Sequence, residues 1–178
     1  AWDLVSPTSI KKPGPDVQYR KGTANYWSIG SADPELGLVY LPTGNTTPDF
    51  YGGHRTPEME VYPSSIVALD AKTGDVRWNF QTVHHDIWDF DIGSQPVLTD
   101  FDTPNGKVPA LIAPTKRGEV FILDRRTGKP LTEVTEKKVP QGPAKGEWLS
   151  PTQPYSTGFP SFAPKDLSEV QMWGATPL

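Results

Sequence analysis

Two segments decide the fold: Ile66-Val67-Ala68-Leu69-Asp70-Ala71-Lys72-Thr73-Gly74-Asp75-Val76 and, 54 residues later, Val120-Phe121-Ile122-Leu123-Asp124-Arg125-Arg126-Thr127-Gly128-Lys129-Pro130. Each is an apolar run followed by Asp-x-x-Thr-Gly and the start of a second strand. The Asp can accept hydrogen bonds from its own downstream backbone, and the Gly supplies the positive φ that a tight hairpin requires. Each segment therefore predicts a β-hairpin.

The spacing of the two hairpins indicates a repeated sheet unit. A weaker third copy, Asp33-Pro34-Glu35-Leu36-Gly37-Leu38-Val39-Tyr40-Leu41, again places a Gly before a strand. A period of about 50 residues with short strands is typical of β-propeller blades, which have roughly four strands each. About three blades fit into this length, fewer than a closed ring needs. The alternative is two unrelated hairpins that share a common turn.

The composition favours an all-β fold. The 178 residues include 20 Pro and 16 Gly, which disfavour long helices because Pro removes a donor and Gly weakens helix interiors. A net charge of −4 provides no basic surface for nucleic acid. The absence of Cys excludes disulfides, thiolate metal sites and a Cys nucleophile within these residues. No apolar run approaches the roughly 20 residues of a membrane span.

The pattern of apolar runs and turn residues predicts short strands separated by ordered loops. Asn45–Pro63 is predicted to be a long ordered loop, the Pro-rich chain from Val139 onward an extended surface segment, and Asp166-Leu167-Ser168 a single helical turn. The chain opens on Ala1 and not on Met, so we expect residues 1–178 to be a fragment of one larger propeller domain. The predicted strands are Tyr26–Ser31, Leu38–Pro42, Ser65–Asp70, Asp75–Gln81, Gln95–Asp100, Val108–Ala113, Val120–Asp124 and Leu131–Val134.

The segment with the most candidate catalytic and metal-binding side chains is His84-His85-Asp86-Ile87-Trp88-Asp89-Phe90-Asp91. It contains two of the three His in the chain and three carboxylates within eight residues. A hydrophobic core does not require such a run, whereas proton abstraction and metal binding both use groups whose charge is set by their neighbours. The alternative is structural: Asp89 caps a turn, and the preceding polar residues support it by hydrogen bonds.

These motifs resemble those of the pyrroloquinoline quinone (PQQ)-dependent dehydrogenases, most closely the membrane-bound glucose dehydrogenase branch. The double His followed by Trp-Asp is typical of the sugar- and quinate-oxidising membrane enzymes. The resemblance implies an eight-bladed β-propeller with PQQ in its axial channel and Ca²⁺ or Mg²⁺ bound to the quinone. The motifs that carry it are Tyr40–Asp49, Asp70–Trp78, Thr82–Asp89, Ala113–Gly118 and Met172–Thr176.

The resemblance also implies roles for single residues in catalysis and cofactor binding. Asp89 matches the catalytic base that removes the hydroxyl proton of the substrate. Lys116, 27 residues later, matches the cation that hydrogen-bonds the quinone oxygens and stabilises the reduced cofactor. Trp27 matches the indole on which the flat cofactor stacks. The alternatives are a solvated Lys in a basic turn and a core aromatic.

Further residues are expected to bind the metal, to contact the cofactor or to support the site. Gly44-Asn45 resembles the pair that offers a hard oxygen ligand to the metal, but its distance to Asp89 leaves both Asn45 and Thr47 open as the ligand. Thr47 and His85 are also expected at the cofactor. His84, His85 and Asp86 are expected either to orient the base or to contact sugar hydroxyls. Asp91, two residues after the base, is expected on the same side of the chain as the base, beside the site.

The resemblance implies oxidation of an aldose, first of all glucose to gluconolactone, at the periplasmic face of the inner membrane. Electrons would pass to ubiquinone, and a membrane anchor is expected outside this chain. Oxidation of quinate or shikimate is the alternative within the enzyme class, because those enzymes share the double-His motif. A non-catalytic propeller scaffold is the alternative from another class. Such a scaffold would share the Asp-x-x-Thr-Gly repeat without needing Asp89 and Lys116 together.

Overall fold

The computed structural model describes residues 24–163, so the Met172–Thr176 motif and the predicted turn at Asp166-Leu167-Ser168 lie outside the described residues. Within this range the chain is built from antiparallel sheets, and its helical element is a short 3-10 turn at Pro57–Glu60. The first sheet contains, in spatial order, β1 (Ser31–Asp33), β2 (Leu38–Pro42), β3 (Ser65–Asp70) and β4 (Val76–Gln81). The second contains β5 (Val97–Thr103), β6 (Gly106–Pro114) and β7 (Val120–Asp124), and the third pairs β8 (Val134–Lys138) with β9 (Thr152–Ser156).

Both copies of the Asp-x-x-Thr-Gly motif form the predicted turn. Asp70 Oδ1 accepts hydrogen bonds from the N–H groups two and three residues later at 2.9 and 3.0 Å, and Gly74 has a φ of 77°. Asp124 Oδ1 accepts from the N–H two residues later at 2.9 Å, and Gly128 has a φ of 73°. The turn prediction is confirmed in both copies because the motif satisfies its own backbone donors locally. Only the first copy also joins two full strands, β3 and β4, whereas the second is followed by a single bridge.

The third copy has the same turn but does not mark a third blade. Asp33 Oδ1 accepts from Glu35 N and Leu36 N, both at 3.0 Å, and Gly37 has a φ of 64°. This turn joins β1 to β2, inside the four-stranded sheet that also contains the Asp70 turn. The turn chemistry is local and does not specify which strand pair of a blade it joins, so the motif could not show to which blade this copy belongs.

The described residues thus form one complete blade, a second blade and a separate two-stranded ladder. The fourth strand of the second blade is reduced to a single bridge between Leu123 and Pro130. The predicted bounds of β2, β3 and β7 agree with the structure. The predicted Leu131–Val134 strand is wrong, because β8 begins only at Val134.

The predicted strands differ from the structure at both ends of residues 24–163: the first strand is shorter than predicted, and the last strand, β9, was not predicted. The first strand contains only Ser31–Asp33, and the predicted residues before Ser31 lie in irregular chain that leads to the site. β9 was missed because it contains Pro154, which cannot donate a ladder hydrogen bond. Within the described residues β9 pairs only with β8, and Pro is tolerated in such an edge position.

The main core lies between the two larger sheets and includes Tyr40, Ile66, Leu111 and Phe121. Trp78 of β4 packs against it, and its ring centroid lies 5.7 Å from that of Tyr40. Its indole covers Gly128 of the second blade so closely that an added Cβ there would lie 2.5 Å from the ring.

Arg125 links the two blades through its side chain and its carbonyl. The carbonyl accepts hydrogen bonds from Trp78 Nε1 at 3.3 Å and from the Tyr40 hydroxyl at 2.9 Å. Its guanidinium donates to Asp33 Oδ2 at 2.6 Å and to Thr99 O at 2.7 Å. Burial alone would raise the pKa of Asp33, but its backbone hydrogen bonds and Arg125 hold that pKa below the ordinary value. The Asp33 turn therefore joins blades as well as strands.

The meander topology places two different sets of connections at the two ends of the sheets. Because successive strands run in opposite directions, the β2–β3, β4–β5 and β6–β7 connections all lie at one end. The three Asp turns lie at the other. The candidate site residues belong to the first end, which we call the site end. Among residues 24–163 no helix is long and apolar enough to cross a membrane.

Candidate active site

Lys116 brings the loops of the site end together. It stands in the β6–β7 turn and reaches the β4–β5 loop, where its ammonium donates to Asp89 O at 2.9 Å and lies 3.3 Å from Asp89 Oδ2. The same ammonium lies 3.4 Å from Asp91 Oδ2 and 5.9 Å from the ring centroid of Trp27. Four predicted site residues from three separate chain segments, Trp27, Asp89, Asp91 and Lys116, therefore form one cluster.

The cluster keeps Lys116 charged. Partial burial alone would lower the pKa of this ammonium, but the neighbouring charges of Asp91 and Asp89 outweigh it and raise that pKa above its ordinary value. A permanent positive charge beside two carboxylates suits a site in which negative charge develops on a bound group.

Trp27 offers a flat apolar surface at the site. Its side chain is 55% exposed although its Nε1 donates to Asp91 Oδ2 at 3.1 Å. One edge of the ring lies against Gly93, where an added Cβ would approach the ring to 3.0 Å. The indole is thus fixed at its edge and open on its surface, as a stacking platform requires.

Asp89 is held in an unusual backbone conformation. Its φ is 61°, and the two other non-glycine residues with positive φ among residues 24–163, Ser64 and His85, also lie in loops of the site end. Such strained conformations persist only where the surrounding structure over-determines them, and they concentrate at functional sites. The Asp89 carboxylate remains 37% exposed and can reach a bound molecule.

Asp86 determines the shape of the loop that carries Asp89. Its side chain accepts hydrogen bonds from Trp88 N at 2.9 Å, Phe90 N at 2.8 Å and Ser64 Oγ at 2.6 Å. Asp86 is completely buried, and burial raises its pKa above the ordinary value although these three donors favour the charged form. Its predicted supporting position agrees with these contacts.

His85 lies apart from the cluster. Its ring is buried between Glu60 at Nδ1 and Glu147 at Nε2, both 3.0 Å away, and stacks on Trp148 with ring centroids 3.5 Å apart. Burial alone would lower the pKa of His85, but the two carboxylates raise it above its ordinary value. Within residues 24–163 the ring has no contact with Trp27, Asp89 or Lys116. Its expected contact with a cofactor stays a prediction.

His84 connects the site end to the β8–β9 ladder. Its Nδ1 lies 2.7 Å from Gln81 Oε1 and its Nε2 lies 3.0 Å from Glu136 Oε1. Its backbone N–H and C=O pair with the Gln153 side chain at 2.8 and 2.7 Å. These contacts make it a support for the loop.

The two candidate metal ligands differ in exposure. Asn45 is buried, and its amide donates to Asp86 O at 3.0 Å and to Asp49 O at 3.1 Å while its Oδ1 accepts from Thr46 N at 2.7 Å. Thr47 is exposed. Within residues 24–163 no three acidic or His side chains converge as a metal site. The choice between Asn45 and Thr47 therefore remains open.

The residues that hold the loops of the site end together were not predicted from the sequence. Glu60 and Glu147 enclose His85, and Arg55 donates to Asp86 O at 2.7 Å and Pro48 O at 2.5 Å. All three come from loops without periodicity, so no pattern in the sequence distinguishes them from surface charges.

The structure thus shows blade-like antiparallel sheets with a cationic and aromatic site at one end. The model of the family "PQQ: Glucose/ethanol/alcohol dehydrogenase, beta-propeller domain" matches residues 1–178. The chain therefore belongs to this PQQ-dependent dehydrogenase family, and the resemblance seen in its motifs is confirmed.

Curated relatives with different named substrates are similarly close. The chain is 50% identical over 180 residues to the glycerol dehydrogenase large subunit of Gluconobacter oxydans, covering 100% of this chain and 24% of that protein. It is 51% identical over 165 residues to the quinoprotein glucose dehydrogenase of Escherichia coli K12, covering 92% and 20%. It is 43% identical over 173 residues to the quinate/shikimate dehydrogenase (quinone) of Acinetobacter baylyi, covering 97% and 21%.

A solved structure supports the fold. The quinohemoprotein alcohol dehydrogenase from Comamonas testosteroni superposes with a TM-score of 0.58 at 29% identity, covering 76% of this chain and 20% of that one. The chain thus spans about a quarter or less of the proteins it matches. The all-β fold and the assignment to part of a propeller are confirmed.

Proposed function

We propose that the complete protein containing this chain is a PQQ-dependent dehydrogenase that oxidises an aldose, first of all glucose to gluconolactone, and passes the electrons to ubiquinone. We expect it at the periplasmic face of the inner membrane, with its membrane anchor outside residues 1–178. The observation that carries the proposal is the Lys116 ammonium, which lies between Asp89 and Asp91 beside the exposed indole of Trp27.

The residues present fit a planar quinone. Trp27 offers a flat surface that is open to a ligand and fixed at its edge by Asp91. Lys116 lies near the rim of that surface and stays protonated, so it can hydrogen-bond a quinone oxygen and stabilise the more anionic reduced form. Asp89 is exposed next to the ammonium. A platform, a cation and a base thus surround one space.

The chain's own contribution to the reaction is proton removal and charge stabilisation. When bound, PQQ would supply the two-electron acceptor for the hydride of the substrate's alcohol carbon. The Asp89 carboxylate accepts the hydroxyl proton, which makes departure of that hydride easier. Asp86 holds the loop so that Asp89 keeps its position, and Lys116 provides the fixed positive charge.

A Ca²⁺ or Mg²⁺ ion would take oxygen ligands from this end of the chain. Asn45 or Thr47 and the Asp89 carboxylate are the candidates, and hard cations prefer such oxygens. These residues form an incomplete ligand set, and we propose that the cofactor and other parts of the complete protein supply the remainder.

Oxidation of a polyol such as glycerol, or of quinate, competes with glucose as the substrate. The close similarity to dehydrogenases named for each of these substrates supports the reaction class more strongly than the substrate. Glucose remains the first choice because the motifs of the chain, taken together, resemble the glucose dehydrogenase branch most closely.

The test uses the complete apoprotein, reconstituted with PQQ and Ca²⁺ or Mg²⁺ and assayed with a dye acceptor on glucose, glycerol and quinate. We expect turnover on glucose. Turnover on glycerol or quinate alone would refute the choice of glucose, and failure to bind PQQ would favour a scaffold.

Two variants test the site assignment in the same assay. Asp89→Asn should retain most PQQ affinity and lose most turnover, because shape survives while basicity does not. Lys116→Ala should lose both. Asp102→Asn changes a carboxylate that is 82% exposed in β5, and it serves as the matched control. Normal activity in either site variant would contradict the assigned roles.

A further inference from the structure

The two carboxylate oxygens of Asp91 face three donors from three different parts of the chain. Its Oδ2 accepts from Trp27 Nε1 at 3.1 Å and lies 3.4 Å from Lys116 Nζ. Its Oδ1 accepts a short hydrogen bond from the backbone N–H of Asn45. One buried side chain thus contacts the platform, the cation and the β2–β3 loop, which are far apart in sequence.

The space around these contacts allows little displacement. Gly44 lies beside the carboxylate, and an added Cβ would stand 3.1 Å from Asp91 Oδ1, 3.1 Å from Trp27 Nε1 and 2.7 Å from Asn25 Oδ1. The backbone of Gly44 is itself held by hydrogen bonds to Asn25 O at 2.8 Å and from Ser64 N at 3.1 Å. A side chain at position 44 would therefore press on both the indole and the carboxylate.

The exposures of Asp91 and Asp89 separate their roles. Asp91 is buried and its oxygens already face three donors, whereas the Asp89 carboxylate is 37% exposed. We infer that Asp91 is a positioning residue, whose carboxylate holds the Trp27 indole and the Lys116 ammonium in the relative position that binds PQQ. This inference rests on the proposed function, since it takes PQQ as the ligand of the cluster.

A carboxylate is needed for this role because only it can accept on both oxygens. An amide has one acceptor oxygen and one donor group. In Asp91→Asn, an amide oxygen that keeps the Asn45 contact would turn its NH₂ group toward Trp27 Nε1–H and the Lys116 ammonium, both of which are donors. The opposite orientation would lose the Asn45 contact.

The test measures PQQ affinity of the complete apoprotein, by titration followed through the absorbance of PQQ and without any substrate. Hydrogen bonds to charged groups contribute enough that Asp91→Asn should raise the Kd by about 10- to 100-fold. The exposed Asp102→Asn should not change the Kd.

A double-mutant cycle separates positioning from a general structural role. Trp27→Phe keeps a flat ring but lacks the indole N–H, so Asp91→Asn should weaken binding less in that background than in the wild type. Equal fold-changes in both backgrounds would overturn the inference. Gly44→Ala provides a second approach if Asp91→Asn does not fold. Its Cβ would press on Asp91 Oδ1 and Trp27 Nε1 without altering either side chain, so PQQ affinity should again fall.

The outcomes distinguish this inference from the proposed function. If wild-type protein binds no PQQ, the function itself fails. If the wild type binds PQQ and Asp91→Asn or Gly44→Ala binds it equally well, the inference fails while the function stands.

Discussion

Replacing Asp86 tests how the fold positions the catalytic base. Asp86 is completely buried and accepts from Ser64 Oγ, Trp88 N and Phe90 N. In Asp86→Ala the Ser64 hydroxyl can rotate toward another acceptor, but the two backbone N–H groups have no such freedom. The loop that holds Asp89 at a φ of 61° would then lose its main local support.

The contacts of Asp86 allow an estimate of the effect. Hydrogen bonds to a charged group contribute about 1.5–3 kcal/mol each, so losing those from Trp88 N and Phe90 N, which are partly buried, would cost about 3–6 kcal/mol. Removal of the buried carboxylate offsets part of this cost, because burial disfavours its charge. We expect Asp86→Ala to lower the free energy of unfolding by about 2–4 kcal/mol. Asp86→Asn keeps one acceptor and should lose about 1–3 kcal/mol.

The assay combines unfolding by denaturant with steady-state kinetics of the reconstituted complete protein. Stability should decrease from wild type to Asp86→Asn to Asp86→Ala, and kcat should fall more than KM rises because the base is displaced. Asp102→Asn should match the wild type in both measurements. An Asp86→Ala protein with unchanged unfolding free energy and kcat would refute the assigned role of these hydrogen bonds.

Three further changes test other contacts of the structure. Gly128→Ala should lower the free energy of unfolding by about 2–4 kcal/mol, because it combines a positive φ with a Cβ 2.5 Å from Trp78; an unchanged melting temperature would contradict this packing. His85 has a raised pKa, so the stability that its protonated ring contributes is fully present below its ordinary value of 6.5 and is lost as pH rises through the higher value of the folded state. The difference in melting temperature between wild type and His85→Gln should therefore shrink toward alkaline pH, and a constant difference would argue against the charged ring. Arg125→Ala should cost about 1.5–3 kcal/mol in denaturant unfolding because Arg125 joins two blades. Arg126→Ala removes a half-exposed ion pair within one turn and should cost clearly less, so equal losses would refute the distinction.

Local chemistry could be predicted from the sequence. The Asp-x-x-Thr-Gly turns at Asp70 and Asp124 form as expected because each Asp satisfies backbone donors only two or three residues away. The bounds of β2, β3 and β7 follow from continuous apolar runs between turn residues. β9 escaped prediction because Pro154 argues against a strand unless one knows that the strand lies at an edge.

The candidate site was also only partly predictable from the sequence. Asp89, Lys116 and Trp27 were predicted from motifs, and the fold brings them into one cluster. The separation of His85 from that cluster depends on Glu60 and Glu147, which come from irregular loops.

The amino-acid sequence alone determined the repeated hairpins, the all-β class and the family, because these depend on residue types at short and regular spacing. The tertiary structure alone decided that the third Asp turn belongs to the first blade, that His85 is enclosed by two glutamates and that Asp91 joins the indole to the ammonium. Those contacts connect residues 25 to 92 positions apart. Only the packing of strands and loops determines which distant side chains meet, and no local pattern encodes that packing.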